Sequence, residues 1–153
     1  MGIGAVTNGI SMAILLRLLI GSHLYGTAHE GSDFDWYEVH HSIRSGQTIE
    51  GDVDTTRFSL GEFMRQADKG VPQALEVMFS PVGWPEVDKL EALRLGFRVN
   101  LSQAANTYER TIRAFHRAKP TPKRLAHAQR LTWQREQLIR YGRFDPTDLT
   151  WRQ

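Results

Sequence analysis

Asp33 and Asp35 are separated by a single residue, and ten residues, His23 to Ser32, lie between Asp33 and the pair Gly21-Ser22. In an extended strand, residues two apart project from the same face, so both carboxylates would share one side of a sheet. Two carboxylates held that close repel unless a cation neutralises them. Mg²⁺, or Mn²⁺ in its place, is suited by a few carboxylates completed by substrate phosphates and water. A glycine directly after an apolar strand lets the backbone turn sharply and approach a ligand, and Ser22 adds a hydroxyl where a phosphate would sit. Alone, an Asp-x-Asp is usually solvent-facing charge and a Gly-Ser usually a turn. Together, after an apolar strand, they describe a site for a metal-bound polyphosphate. The chain has no cysteine, which excludes thiolate nucleophiles, disulfide frameworks, zinc ribbons and iron–sulfur clusters.

These groups need one strand ending at Gly21 and another beginning near Asp33. Residues 12–20 are an apolar run of strand length interrupted by Arg17. The run is too short to span a bilayer, which takes about 20 apolar residues. Residues 33–41 and 53–58 are rich in aromatic and β-branched types and read as further strands, with turns at Gly26, Gly31, Ser45-Gly46 and Gly51. After Ser59, a good N-cap, Leu60, Phe63, Met64 and Ala67 recur at helical spacing up to Lys69-Gly70. A short helix follows over 72–79, and two longer ones over 100–118 and 121–141, separated by Lys119-Pro120-Thr121-Pro122 and ended by Gly142. The fold class is therefore α+β: a small mixed β-sheet backed by helices, with a C-terminal helical pair.

The 153 residues suffice for one domain with its own core. Residues 1–11 have neither helical nor strand periodicity and are expected to be a disordered leader. The formal charge of +2 conceals an uneven distribution: residues 1–97 carry 7 basic and 13 acidic residues, and residues 98–153 carry 12 and 4. Residues 12–97 would form the core that holds the metal, and 98–153 a basic helical segment packed on it. An acidic half that concentrates divalent cations and a basic half that holds phosphates suit a polyanionic ligand between them. With no signal peptide or membrane span read from the chain, a cytoplasmic location is expected.

Gly21-Ser22-His23-Leu24-Tyr25-Gly26-Thr27-Ala28, followed by Ser32-Asp33-Phe34-Asp35, resembles the DNA polymerase β-like nucleotidyltransferase superfamily. More narrowly it resembles the nucleotidyltransferases of bacteria and phages grouped as the RNA-repair-pathway polymerase β family. Asp54 leading into Phe58–Phe63, Lys69 through Pro72 to Glu76, and Lys123 through His127 to Arg130 also match, so the resemblance covers about residues 12–143. Val71 departs from it, an asparagine being more typical before Pro72.

The resemblance implies a third carboxylate on a neighbouring strand. Asp52 and Asp54 share strand parity, so alternation does not choose between them; the match from Asp54 onward favours Asp54. Lys123, His127 and Arg130 fall at i, i+4 and i+7 on one helical face and are candidates to bind a triphosphate, alongside Gly21 and Ser22. Tyr25 is a candidate for base stacking or for packing.

The implied activity is transfer of a nucleoside monophosphate from a nucleoside triphosphate, ATP among them, to a hydroxyl, with Asp33, Asp35 and Asp54 as metal ligands and release of pyrophosphate. An RNA or tRNA 3′ end is the favoured acceptor, since basic segments bind nucleic-acid phosphates. A protein hydroxyl, as in antitoxin-like AMP transfer, is the alternative enzyme reading. A silent nucleotide- or RNA-binding module is the alternative outside catalysis.

Overall fold

The computed structural model describes residues 14–25, 32–42 and 45–152. The expected leader, the start of the first strand at Met12 and the turns at Gly26 and Gly31 lie outside these residues. Among them is a five-stranded mixed sheet of order β3-β4-β2-β1-β5, with β1 Ile14–Ile20, β2 Phe34–His40, β3 Gly46–Glu50, β4 Val53–Ser59 and β5 Val87–Asp88. The helices are α1 Leu60–Asp68, α2 Pro72–Met78, α3 Glu91–Gly96, α4 Leu101–Arg117 and α5 Pro122–Tyr141. The architecture is α+β, as the periodicity predicts.

In β1, Leu16, Leu18 and Ile20 alternate onto the buried face. Antiparallel pairing with β2 sets Leu16 against Val39, Leu18 against Tyr37 and Ile20 against Asp35. Asp35 is thus the polar end of a row of core residues. Strand β4 runs parallel to β2 in unbroken register, with Asp35 paired to Asp54 and Tyr37 to Thr56. The register also separates Asp52 from Asp54. Asp52 is exposed in the two-residue β3–β4 turn, its carbonyl accepting from the Phe34 N–H at 2.9 Å, while Asp54 stands beside Asp35.

Ser59 ends β4 and caps α1, its hydroxyl accepting from the Glu62 N–H at 3.1 Å. Helix α1 stops at Gly70, where φ is +73° and a Cβ would lie 2.2 Å from the Cα of Ala104 on α4, so glycine is required there for both conformation and contact. Asn100 and Thr121 cap α4 and α5, Pro122 occupies the first turn of α5, and Gly142 ends it at φ +74°. Leu16, Leu18 and Tyr37 of the sheet share one apolar core with Phe63, Leu75, Met78, Tyr108, Leu131 and Leu138 of the helices.

Strands β3 and β5 and helix α3 are additions to the elements read from the sequence. Gly-Gln-Thr-Ile-Glu in β3 has no apolar alternation because it is a sheet edge, with Ile49 exposed. Among the described residues no helix is long and apolar enough to cross a membrane.

Candidate active site

The site begins where β1 runs out of side chains. Gly21, at φ +66°, turns the chain into a short 3₁₀ turn, Gly21–His23. A Cβ at Gly21 would lie 2.7 Å from Oδ2 of Asp35. The bare backbone of the turn therefore lets the Asp35 carboxylate lie directly against it. His23 Nε2–H donates to the Asp33 carbonyl at 3.1 Å, and the imidazole stacks on Phe34 with ring centroids 4.7 Å apart. These two contacts tie the Gly-Ser turn to the start of β2 and fix the spacing between Ser22 and the Asp-x-Asp pair.

Asp33 is exposed just before β2, whereas Asp35 is half-buried and paired in register with Asp54. Burial first, then the charges of Asp54 and of Asp33, push the Asp35 carboxyl above its ordinary range, while His23 and Lys123 pull it back. Asp35 thus interacts electrostatically with each of the other two carboxylates. Asp54 is held from β3, where Gln47 Nε2 donates to both Oδ1 and Oδ2 at 2.9 Å each.

Helix α5 supplies the opposite wall. A cleft of about 590 Å³ is lined by Gly21, Ser22, Asp33 and Asp35 on one side and by Lys123, His127 and Arg130 on the other. It continues past Asp35 into a second lobe of about 710 Å³, lined by Asp54, Gln47, Gln73 and Phe115 among others, with Gly21, Asp35, His127 and Arg130 bordering both. The structure thus gathers Gly21, Ser22, Asp33, Asp35, Asp54, Lys123, His127 and Arg130, with Tyr25, around one divided cleft, whereas Asp52 lines neither lobe.

The basic wall is less uniform than its spacing suggests. Lys123 is exposed, but Arg130 is only 8% exposed and stacks its guanidinium 3.9 Å from the Tyr25 ring centroid. Its Nε lies 3.5 Å from Oε1 of Glu76, which is 2% exposed. Glu76 also accepts from the Tyr25 hydroxyl and, at 3.0 Å, from Gln134 Nε2, whose own Oε1 accepts from the Tyr108 hydroxyl at 2.8 Å. Burial and the nearby Glu76 charge hold both tyrosines far above their ordinary pKa, so they stay protonated donors. Tyr25 is accordingly a support for Arg130, and its ring face is taken.

Arg130 Nη1 donates to His127 Nδ1 at 2.8 Å. A guanidinium can only donate, so the His127 proton resides on Nε2. Burial, then the charges of Arg130 and Lys123, push the His127 pKa down to about 4, which leaves the ring neutral at physiological pH. Phe115 stacks on it at 5.6 Å.

Glu76 and Gln47 were not singled out by spacing. Glu76 carried a signal: it is the lone charge in the otherwise apolar run Ala74–Met78, all of it buried. Gln47 carried none. His40, by contrast, is a buried residue of the far face, paired to Glu38 at 2.9 Å.

Asp35 and Asp54 side by side, with Asp33 at the rim, form a set of hard oxygen donors. Among the described residues no three carboxylate or imidazole side chains are gathered closely enough to hold one metal ion. Mg²⁺ is commonly held by one or two carboxylates with substrate phosphates and water, so this open arrangement fits it in company with a polyphosphate.

Carboxylates on adjacent central strands, facing a glycine-serine turn at the end of the first strand, are the design of a polymerase β-like nucleotidyltransferase. The sequence pattern of the RNA repair pathway DNA polymerase beta family matches residues 4–149, and the chain belongs to that family. No match was found among curated proteins.

Proposed function

We propose that the protein transfers a nucleoside monophosphate from a nucleoside triphosphate to the 3′ hydroxyl of RNA. The observation that carries this reading is the pairing of Asp35 with Asp54 in parallel register beside the Gly21-Ser22 turn, opposite Lys123. The turn and Lys123 bind the triphosphate in the lobe that holds Asp33. The acceptor hydroxyl enters the lobe that holds Asp54, and Asp35 borders both. The hydroxyl oxygen bonds to the α-phosphorus, its proton passes to a carboxylate of the set, and the bond to the β-phosphate breaks to release pyrophosphate. Asp33, Asp35 and Asp54 would hold divalent ions, which when bound would supply charge stabilisation to the reacting phosphate.

His127, neutral with its proton on Nε2, offers a hydrogen bond to a phosphate oxygen without a charge. RNA as acceptor is supported by the exposed Lys123 on the cleft wall and by the exposed Arg117, Lys119 and Arg124 near it in sequence at the α4–α5 connection. The family's RNA-repair designation agrees with it. Incubation with each α-labelled nucleoside triphosphate, Mg²⁺ and total RNA or cell extract tests the proposal. The expected result is label in RNA at the 3′ end, lost in Asp35→Asn. Label in protein instead would move the acceptor to a side-chain hydroxyl, and no transfer to any acceptor would remove the catalytic reading.

A further inference from the structure

The contact between Gln47 and Asp54 has an unusual form. One amide group meets both oxygens of one carboxylate at equal distances of 2.9 Å. Only the NH₂ end of glutamine can do this, since its carbonyl would repel both oxygens. Gln47 pairs with Thr56 in the β3–β4 register, so it reaches Asp54 diagonally across the ladder. The amide fills the notch between the two oxygens, which is where a cation would sit to grip the carboxylate with both.

An arginine or lysine at this position would also orient Asp54, but its charge would compete with a metal ion. A neutral amide fixes the carboxylate and leaves its charge available. Gln47 is exposed on an edge strand, so the contact contributes nothing to the apolar core. It lines the same lobe as Asp54 and Asp35.

We propose that Gln47 is a positioning residue that restricts Asp54 to one-oxygen coordination of a divalent cation and thereby favours Mg²⁺ and Mn²⁺ over Ca²⁺. The inference rests on the reading of Asp54 as a metal ligand. Mg²⁺ demands near-octahedral geometry, and Mn²⁺ shares its octahedral oxygen sites, whereas the larger Ca²⁺ takes more ligands and readily accepts both oxygens of one carboxylate. Blocking the notch therefore penalises Ca²⁺ selectively, while each Asp54 oxygen keeps a lone pair outside the notch for a single bond to a metal ion.

The test is metal binding by the full chain, with Mn²⁺ followed by its electron paramagnetic resonance signal and Ca²⁺ added as competitor, in wild type, Gln47→Ala, Gln47→Asn and Asp54→Asn. Loss of a group that supports a metal ligand typically costs 10–100-fold in affinity. In Gln47→Ala, Mn²⁺ binding is expected to weaken about tenfold or more while Ca²⁺ binding holds or strengthens, so the preference shifts by at least about tenfold. Gln47→Asn, one methylene too short to fill the notch, should behave the same way. If Asp54→Asn loses Mn²⁺ but Gln47→Ala keeps the wild-type Mn²⁺ to Ca²⁺ preference, the inference fails and the metal site stands. If Asp54→Asn binds Mn²⁺ like wild type, Asp54 is not a ligand and the inference falls together with that part of the proposed function.

Discussion

Replacing Gly21 by alanine separates two effects that the structure places on one residue. The backbone there has φ +66°, and holding an L-residue in the left-handed region costs roughly 1–2 kcal/mol. For a chain of this size each kcal/mol shifts Tm by about 2–4 °C, so Tm should fall by about 2–8 °C. The second effect is local. The new Cβ would sit 2.7 Å from Asp35 Oδ2, against an ordinary contact of at least 3.4 Å, so the carboxylate must retreat by about 0.7 Å. Misplacement of about 1 Å at a reacting centre can cost on the order of 10² in rate. Gly83→Ala is the control: φ there is +84° with nothing within 4 Å of the added Cβ, so it carries the backbone strain without the clash. Differential scanning calorimetry on both variants, with transfer from a labelled nucleoside triphosphate as the activity assay, should show similar losses of Tm but a roughly hundredfold loss of transfer in Gly21→Ala alone. Wild-type transfer by Gly21→Ala would show that the close packing of Asp35 on the turn is irrelevant to the chemistry.

The raised pKa of Asp35 means that the folded protein holds this proton more tightly than the unfolded chain does, so stability declines as pH rises from the ordinary value of 3.8 through the raised one, and the cost persists at neutral pH. Asp35→Asn should therefore raise Tm at pH 7 without metal, with the gain disappearing below about pH 3.8; a lower Tm at pH 7 contradicts the assigned repulsion. Arg130→Ala leaves Glu76 charged and buried, which should cost about 3–5 kcal/mol in denaturant unfolding, and the double change Glu76→Gln with Arg130→Met should recover most of it. A loss below about 1 kcal/mol in the single variant would mean that the pair is effectively solvated.

Much of the fold could be read from the chain because its strong elements are locally encoded. The apolar run before Gly21, the serine cap at Ser59 and the breaks at Gly70 and Pro120 mark element ends through backbone chemistry that needs no partner. Strand β3 lacks such encoding. Its residues are exposed and its pairing is set by β4 and the Gly51-Asp52 turn, so neither the strand nor the reach of Gln47 could be foreseen. The choice between Asp52 and Asp54 failed on parity for the same reason: it depends on register with β2, a non-local property. The helical spacing of Lys123, His127 and Arg130 correctly gives them a common face. Spacing is blind to depth, however, and Arg130 lies at the buried edge of that face because Glu76 arrives from α2.

If the cleft takes the proposed nucleotide, that burial would divide the timing of its capture between two residues. An arginine already matched by Glu76 projects little field beyond the cleft, so an approaching polyanion at a distance responds to Lys123 and its exposed neighbours rather than to Arg130. Exposed charge governs the association rate and is damped by salt over about 8 Å at physiological ionic strength. A guanidinium clamped between Tyr25 and Glu76 would be felt only on contact, after water has left, and would act on how long the proposed nucleotide stays. For the proposed nucleotide, added salt would slow arrival while leaving residence time nearly unchanged.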